Sequence, residues 1–246
     1  MPKPITRLIK GFEAFRSQHF EQDPELMQSL ATEGQRPEVM VVACSDSRTD
    51  PAILTCARPG DLFIVRNVAA IVPPYDPKRS PQGTSSAIEF GVRGLEVQHI
   101  VVIGHAQCGG MRFLAQQASA PQRDGGGFEF LGGWVRIAEP GLKSVLGSAI
   151  PEAARGPAIE QAGILNSLHN LMSFPWIRER VEAGRLALHG WYYDLASGRM
   201  LALDAAAARF LPTQGDARPI VGHTPLPDFA RFARCYGPDT SCCSAA

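Results

Sequence analysis

Two short segments carry the residues able to hold and use a metal ion. One is Cys44-Ser45-Asp46-Ser47-Arg48, and the other is Gly104-His105-Ala106-Gln107-Cys108-Gly109-Gly110. Together they offer two thiolates, one imidazole and one carboxylate, a donor set suited to tetrahedral zinc. The spacing His-x-x-Cys lets one turn deliver both of its ligands. Three fixed ligands leave a fourth place for water, whose pKa zinc lowers to about 7 in favourable sites. Two thiolates donate charge and oppose that lowering, so hydrogen bonds to the sulfurs have to compensate. Asp46 has two open parts. It can bind the metal and block the fourth position, or pair with Arg48, whose planar fork suits a carboxylate, and accept a hydrogen bond from the bound water. A structural zinc uses four Cys/His ligands in a closed site; a carboxylate beside an arginine favours catalysis.

Each half of this constellation follows a short apolar run. Val39–Ala43, Asp61–Val65 and His99–Ile103 read as strands buried on both faces. Thr84–Leu95 reads as the helix between the second and third of them. Strand, crossover helix and strand predict a mainly parallel sheet flanked by helices, an α/β fold with right-handed crossovers. In such sheets sites form at the carboxyl ends of strands, where Cys44 falls after the first strand and His105 and Cys108 after the third.

The remaining elements are read from periodicity. Ile5, Leu8, Ile9, Phe12 and Phe15 repeat at helical spacing, so the N-terminus is an amphipathic helix that caps the domain or packs on a partner subunit. Further helices are expected at Pro24–Thr32, Met111–Gln117, Phe128–Leu146, Ala158–Met172 and Trp176–Glu182, with a Pro/Gly-rich loop at 120–127. Leu186–Asp194 and Arg199–Leu203 form a late β-hairpin. The chain is thus expected to be one domain over 1–246, with a helical arm at 1–34, a zinc-binding α/β core at 35–211 and a Pro/Gly/Ser-rich tail at 212–246, partly disordered or wrapped around a neighbour.

Bulk properties exclude several classes. The 246 residues are 45% hydrophobic and 20% charged, ordinary for a soluble globular protein, and Lys+Arg and Asp+Glu balance at 24 each, so no basic footprint for nucleic acid exists. The N-terminus lacks the apolar region of a secretory signal, and no apolar run is long enough to span a bilayer. Six cysteines are few for a chain this size, and Cys44 and Cys108 read as metal ligation rather than a disulfide framework, in a reducing, cytoplasmic setting.

At Cys-x-Asp-Ser-Arg and Gly-His-x-x-Cys-Gly-Gly the chain resembles the β-class carbonic anhydrases. Arg66-Asn67-Val68-Ala69, Val72-Pro73-Pro74-Tyr75, Ser86–Phe90 and Leu186–Asp194 add to the likeness. The resemblance implies zinc-dependent interconversion of CO₂ and bicarbonate by a zinc-bound hydroxide, with one zinc per subunit. Cys44, His105 and Cys108 would hold the metal, and Asp46 would be fourth ligand or hydrogen-bond acceptor, with Arg48 its partner. Gln35, Phe63, Val68, Phe90 and Gly109 would contact substrate, some of them across a homodimer or dimer-based oligomer. Val41 stands where some bacterial members carry a tryptophan, so the chain looks more like the plant-type subgroup. Phe90 replaces that subgroup's tyrosine and cannot relay a proton, while His99, His169, His189 and His223 read as structural or surface residues.

Two rivals share these residues. The same scaffold hosts CS₂ and COS hydrolases, which the zinc motifs alone do not separate from anhydrases. A non-catalytic zinc-stabilised binding module would be favoured by loss of Asp46 or Arg48, and both are present. Cys235, Cys242 and Cys243 lack a carboxylate or histidine cluster and read as incidental thiols whose tail is dispensable for activity.

Overall fold

The β-branched runs of the sequence become the middle of a six-stranded sheet of order β2-β1-β3-β4-β5-β6. The structure, a computed structural model, describes residues 3–78, 82–119, 127–213 and 218–237. Strands β1 (Val39–Cys44), β2 (Leu62–Asn67), β3 (His99–His105) and β4 (Ala187–Asp194) run parallel. Strands β5 (Arg199–Asp204) and β6 (Arg209–Pro212) return antiparallel. The expected mainly parallel α/β architecture and the late hairpin are therefore present.

One sheet face carries the large core. Met40, Val42, Ile100, Val102 and Leu188 point into it and meet Ile164, Leu165, Leu168 and Leu171 of the longest helix, Glu152–Ser173. Across the sheet, Val41, Ala43, Val101 and Ile103 form a smaller cluster with Val39, Leu62 and Trp191. That is why β1 and β3 read as continuous apolar runs. Strand β2 differs from the expectation: among the described residues it is the sheet edge and pairs only with β1, and it leaves Ile64 36% exposed. Composition did not separate an edge strand from a central one, because one of its faces still packs.

Helices α1 (Pro4–Arg16) and α2 (Glu25–Glu33) form the expected arm. After β1 come α3 (Pro51–Thr55), β2 and α4 (Gly83–Glu89), the last continued by a wider turn through Phe90–Gly94. Helix α5 (Gly109–Ser119) follows β3 directly. The single helix expected over 128–146 is instead two, α6 (Leu131–Val135) and α7 (Glu139–Leu146), joined by a 3₁₀ turn at Arg136–Ala138. Pro140, which cannot donate within a helix, sits in the first turn of α7, where the donor is not needed. Then come α8 (Glu152–Ser173) and α9 (Pro175–Glu182). The loop expected at 120–127 lies outside the described residues except for Gly127.

The described part of the tail folds back on the core. Ile220 bridges to Leu188, and α10 (Phe229–Arg234), capped by the Asp228 side chain, buries Phe232 completely. Strand β6 and α10 were not expected from composition. Cys235 is buried with this helix, and Cys242 and Cys243 lie outside the described residues. No helix among the described residues is long and apolar enough to cross a membrane.

Candidate metal centre

Parallel pairing of β1 with β3, in register from Val39↔His99 to Ala43↔Ile103, puts Cys44 and His105 at the same end of neighbouring strands. The chain then turns sharply through Gln107, whose φ of 58° is left-handed, and presents Cys108 just before α5. The ligand atoms of Cys44, His105 and Cys108 all lie within 4.8 Å of one another, and the three residues are 6%, 1% and 3% exposed. The two segments singled out in the sequence thus meet in one buried cluster.

The donor chemistry fits a metal. His105 Nδ1 lies 2.9 Å from the Ala106 carbonyl, which only a protonated nitrogen satisfies, so in the neutral ring Nε2 keeps its lone pair. That Nε2 is buried without a hydrogen-bond partner. Buried polar atoms are ordinarily paired, and a metal is the partner such an imidazole supports. Backbone N–H groups favour charge on both sulfurs: that of Ala69 donates to Cys44 at 3.3 Å, helped by the Asp46 N–H, and those of Gly110 and Met111 at the start of α5 lower the Cys108 pKa. These bonds draw charge from the thiolates and answer the compensation that a two-thiolate zinc site needs.

Without a metal the two thiols resist ionising together: the neighbouring Cys108 thiol lowers the Cys44 pKa, against the effect of burial, while Cys44 and burial push Cys108 well above the usual thiol range. Burial lowers the His105 pKa, but the nearby Cys44 sulfur and the Ala106 carbonyl, both favouring a protonated ring, outweigh it, and the net direction is up. A cationic metal would take the place of these protons.

Asp46 is turned to Arg48. Arg48 Nε donates to Oδ1 at 2.9 Å, Nη2 to Oδ2 at 2.7 Å, and the Arg48 backbone N–H to Oδ1 at 2.9 Å. The guanidinium holds the carboxyl well below the usual carboxylate range. Asp46 Oδ2 nevertheless lies 3.9 Å from His105 Nε2, at the edge of the trio.

Other residues hold these loops, and the sequence did not single them out as site residues. Arg66, opposite Ala43 on β2, donates to the carbonyls of Cys44 (2.9 Å) and Asp46 (2.7 Å) and to Asp50 (2.7 Å), the N-cap of α3. Behind the second loop, Glu160 of α8 accepts from the Cys108 N–H at 3.1 Å and from the Tyr192 hydroxyl at 2.6 Å. After β2, Ala69 and Ala70 both have positive φ, 67° and 53°. This costs roughly 1–3 kcal/mol per residue and brings the Ala69 N–H to Cys44. Asn67 clamps the bend through both the N–H and carbonyl of Ile71 at 2.8 Å, and Ser167 bridges Ala70 and Val72.

The residues expected to contact substrate are spread. Phe63 and Phe90 pack with ring centroids 5.9 Å apart, and Phe90 and Val68 are 52% and 38% exposed. Gly109 is exposed with open space above it, whereas a Cβ on Gly110 would come within 2.8 Å of Val68 and 3.0 Å of Ala69. Gln35 is exposed between α2 and β1 and makes no side-chain hydrogen bond among the described residues. Tyr75 packs on Phe174, His169 bonds the Pro227 carbonyl and His189 bonds His99, so these four stand apart from the trio.

Comparison with known proteins gives a consistent result. The family described as "Carbonic anhydrase" matches residues 39–200. A carbonic anhydrase of Pseudomonas aeruginosa is 40% identical over 207 residues, covering 83% of this chain and 90% of the relative. The chloroplastic beta carbonic anhydrase 5 of Arabidopsis thaliana is 36% identical over 208 residues, covering 83% and 67%. Among solved structures, the β-carbonic anhydrase CcaA superposes with a TM-score of 0.78 at 32% identity, covering 87% of this chain and 94% of that one. Tetrameric β-carbonic anhydrases from Sordaria macrospora give a TM-score of 0.66 at 30% identity, covering 81% and 96%.

Proposed function

The chain belongs to the β-class carbonic anhydrases, and from that membership we propose that it interconverts carbon dioxide and bicarbonate at a zinc site made by Cys44, His105 and Cys108. The observation that carries the proposal is the buried cluster of three ligand atoms with a bare imidazole Nε2. Zinc bound there supplies a Lewis acid that acidifies water at neutral pH.

The chain's own residues do the rest. The pairing of Asp46 with Arg48 supports a resting site in which Asp46 is not a ligand, as in the plant-type subgroup. Held ionised, Asp46 is acceptor-only, so its Oδ2 receives a hydrogen bond from the attacking water and orients that oxygen. Phe63, Val68 and Phe90 offer an apolar wall, which suits a nonpolar gas. Gly109 leaves room beside Cys108, and Gln35 donates to bicarbonate. A phenyl ring at 90 relays no proton. His99 stands at the far end of β3, roughly 20 Å from His105 at ~3.3 Å per residue, so the proton leaves to solvent buffer.

The assembly belongs to the same proposal. Helix α1 buries none of its residues and exposes Ile5, Leu8, Ile9 and Phe12, each by more than half. An apolar stripe of this kind calls for a partner, and a second copy, in a homodimer or a larger oligomer built on it, would cover it and bring Gln35 to a site. Mass measurement in solution, with Leu8→Glu and Phe12→Glu as dissociating variants, tests this. The thiol ligands fit a reducing, cytoplasmic setting.

Stopped-flow CO₂ hydration by the zinc-loaded protein, read by a pH dye, tests the activity. Fast, zinc-dependent acidification is expected. Bound zinc without hydration would defeat the proposal and turn attention to CS₂ or COS as substrates.

A further inference from the structure

The peptide unit joining Gln107 to Cys108 is gripped at both poles. Its carbonyl oxygen accepts from Arg48 Nη2 at 3.3 Å, and its N–H donates to Glu160 Oε1 at 3.1 Å. The Gln107 N–H also favours charge on the Glu160 carboxylate. A left-handed residue followed by an ordinary one turns successive N–H groups to the same side and makes an anion-binding nest. At φ 58° Gln107 creates such a nest, and the anion in it is a side chain of this chain.

Glu160 is an unusual tenant. It sits on α8 immediately before the run Gln161–Leu168, every residue of which is buried, and a carboxylate there is costly unless its oxygens are all used. They are used: the nest takes one side and the Tyr192 hydroxyl of β4 takes Oε2 at 2.6 Å. The approach that makes this possible is set by Gly104. A Cβ there would come within 2.6 Å of Ile164, one turn along α8 from Glu160, so only glycine lets α8 lie this close to β3. Burial raises the Glu160 pKa, and the hydrogen bonds from Tyr192 and Cys108, with the nearby Gln107 N–H, oppose it.

We propose that Glu160 is a positioning residue of the metal centre: by filling the Gln107–Cys108 nest from behind, it holds the His105–Cys108 turn in its left-handed form, so that Cys108 Sγ stays aimed at Cys44 and His105. Arg48 holds the same peptide from the front, which ties the partner of Asp46 to the orientation of a ligand. The two loops are stapled in opposite senses, a cation on the carbonyls of the first (Arg66) and an anion on the amides of the second (Glu160). The inference rests on reading the trio as a metal centre.

The test compares wild type, Glu160→Ala, Glu160→Gln and Tyr192→Phe. Zinc affinity is measured by chelator competition, and the cobalt-substituted proteins are read by their thiolate-to-cobalt absorption bands. Thermal melts and circular dichroism report the fold. Glu160→Ala is expected to lose about 10–100-fold in zinc affinity and to shift the cobalt bands, with Glu160→Gln, which keeps one acceptor oxygen, recovering most of both. Tyr192→Phe should give a smaller change in the same direction. A folded Glu160→Ala with wild-type affinity and bands overturns the inference, even if its turnover falls. Should Glu160→Ala not fold, the decision passes to Glu160→Gln, where a measurable shift of the bands supports the inference and wild-type affinity with unshifted bands overturns it. Failure of the wild-type protein itself to bind zinc would instead overturn the metal-centre reading.

Discussion

Asp46 Oδ2, the atom that takes the 2.7 Å bond from Arg48 Nη2, is also the carboxylate atom 3.9 Å from His105 Nε2. One oxygen therefore faces a fixed cation on one side and the Cys44–His105–Cys108 cluster on the other. Removing the charge (Asp46→Asn) or the cation (Arg48→Ala) should cut CO₂ hydration by about 10²-fold or more, the usual scale for a positioned proton-handling group. Zinc content should stay near wild type, since the trio is intact. Because the pair acts as a unit, the double variant should be little worse than either single one. Wild-type turnover in either single variant would refute the roles assigned.

The two glycines of Cys108-Gly109-Gly110 are predicted to fail differently. Nothing lies within 4 Å of a Cβ built on Gly109, while one on Gly110 meets Val68 at 2.8 Å. Gly109→Ala should leave the melting temperature close to wild type and lower turnover by crowding the face where substrate approaches. Gly110→Ala should cost about 1–3 kcal/mol of stability by overpacking and push on the Ala69 bend that donates to Cys44. Melting curves beside turnover separate the two; an unstable Gly109→Ala or a fully stable Gly110→Ala would contradict this account.

The trio was legible in the sequence because ligand type, spacing and strand end are all local. Cys44 and His105 follow apolar runs, and a parallel sheet brings their ends together with no further information. Glu160 was not legible. It lies 52 residues from Cys108, nothing beside it marks it, and its role depends on how closely α8 rests on Gly104. Arg66 stood in a segment that resembled the family, yet its grip on the Cys44 and Asp46 carbonyls needs the register of β1 with β2. The packing of the described part of the tail was not legible for a related reason. Its Pro, Gly and Ser content argues for partial disorder or a wrap around a neighbour, while Ile220 and Phe232 find complementary sites on the core of this chain.

That packing gives the described part of the tail a role in stability, apart from any in activity. Phe232 is wholly buried and stacks near Phe210 and Tyr236. Phe232→Ala should cost about 3–5 kcal/mol, the range for a buried phenylalanine, and truncation after Pro212 should lower stability at least as much. Removing only residues 238–246 should be tolerated. Denaturant midpoints for the three proteins check this, and a truncation after Pro212 that melts like wild type would show that α10 does not support the core.

A second pair supplies a pH dependence remote from the metal. His189 Nε2 lies 3.2 Å from His99 Nδ1 on neighbouring strands, and burial, with the nearby His99, lowers the His189 pKa from 6.5 to about 4. The folded protein thus keeps this ring neutral to about pH 4, whereas the unfolded chain takes up a proton near pH 6.5. Between those values the unfolded state binds more protons, so stability falls as pH drops; the contribution is complete above the upper value and gone below the lower one. The loss is at most about 3 kcal/mol, and about 1–2 kcal/mol once solvent screening of the partly exposed ring is counted. His189→Gln, which keeps a polar partner for His99 but cannot gain a proton, should flatten the stability curve by that amount between pH 7 and pH 4.5. Urea midpoints at fixed protein concentration give the comparison, with carboxylate titration cancelling between the two proteins. Parallel curves for wild type and variant would show that the proton is not excluded from His189 by the fold.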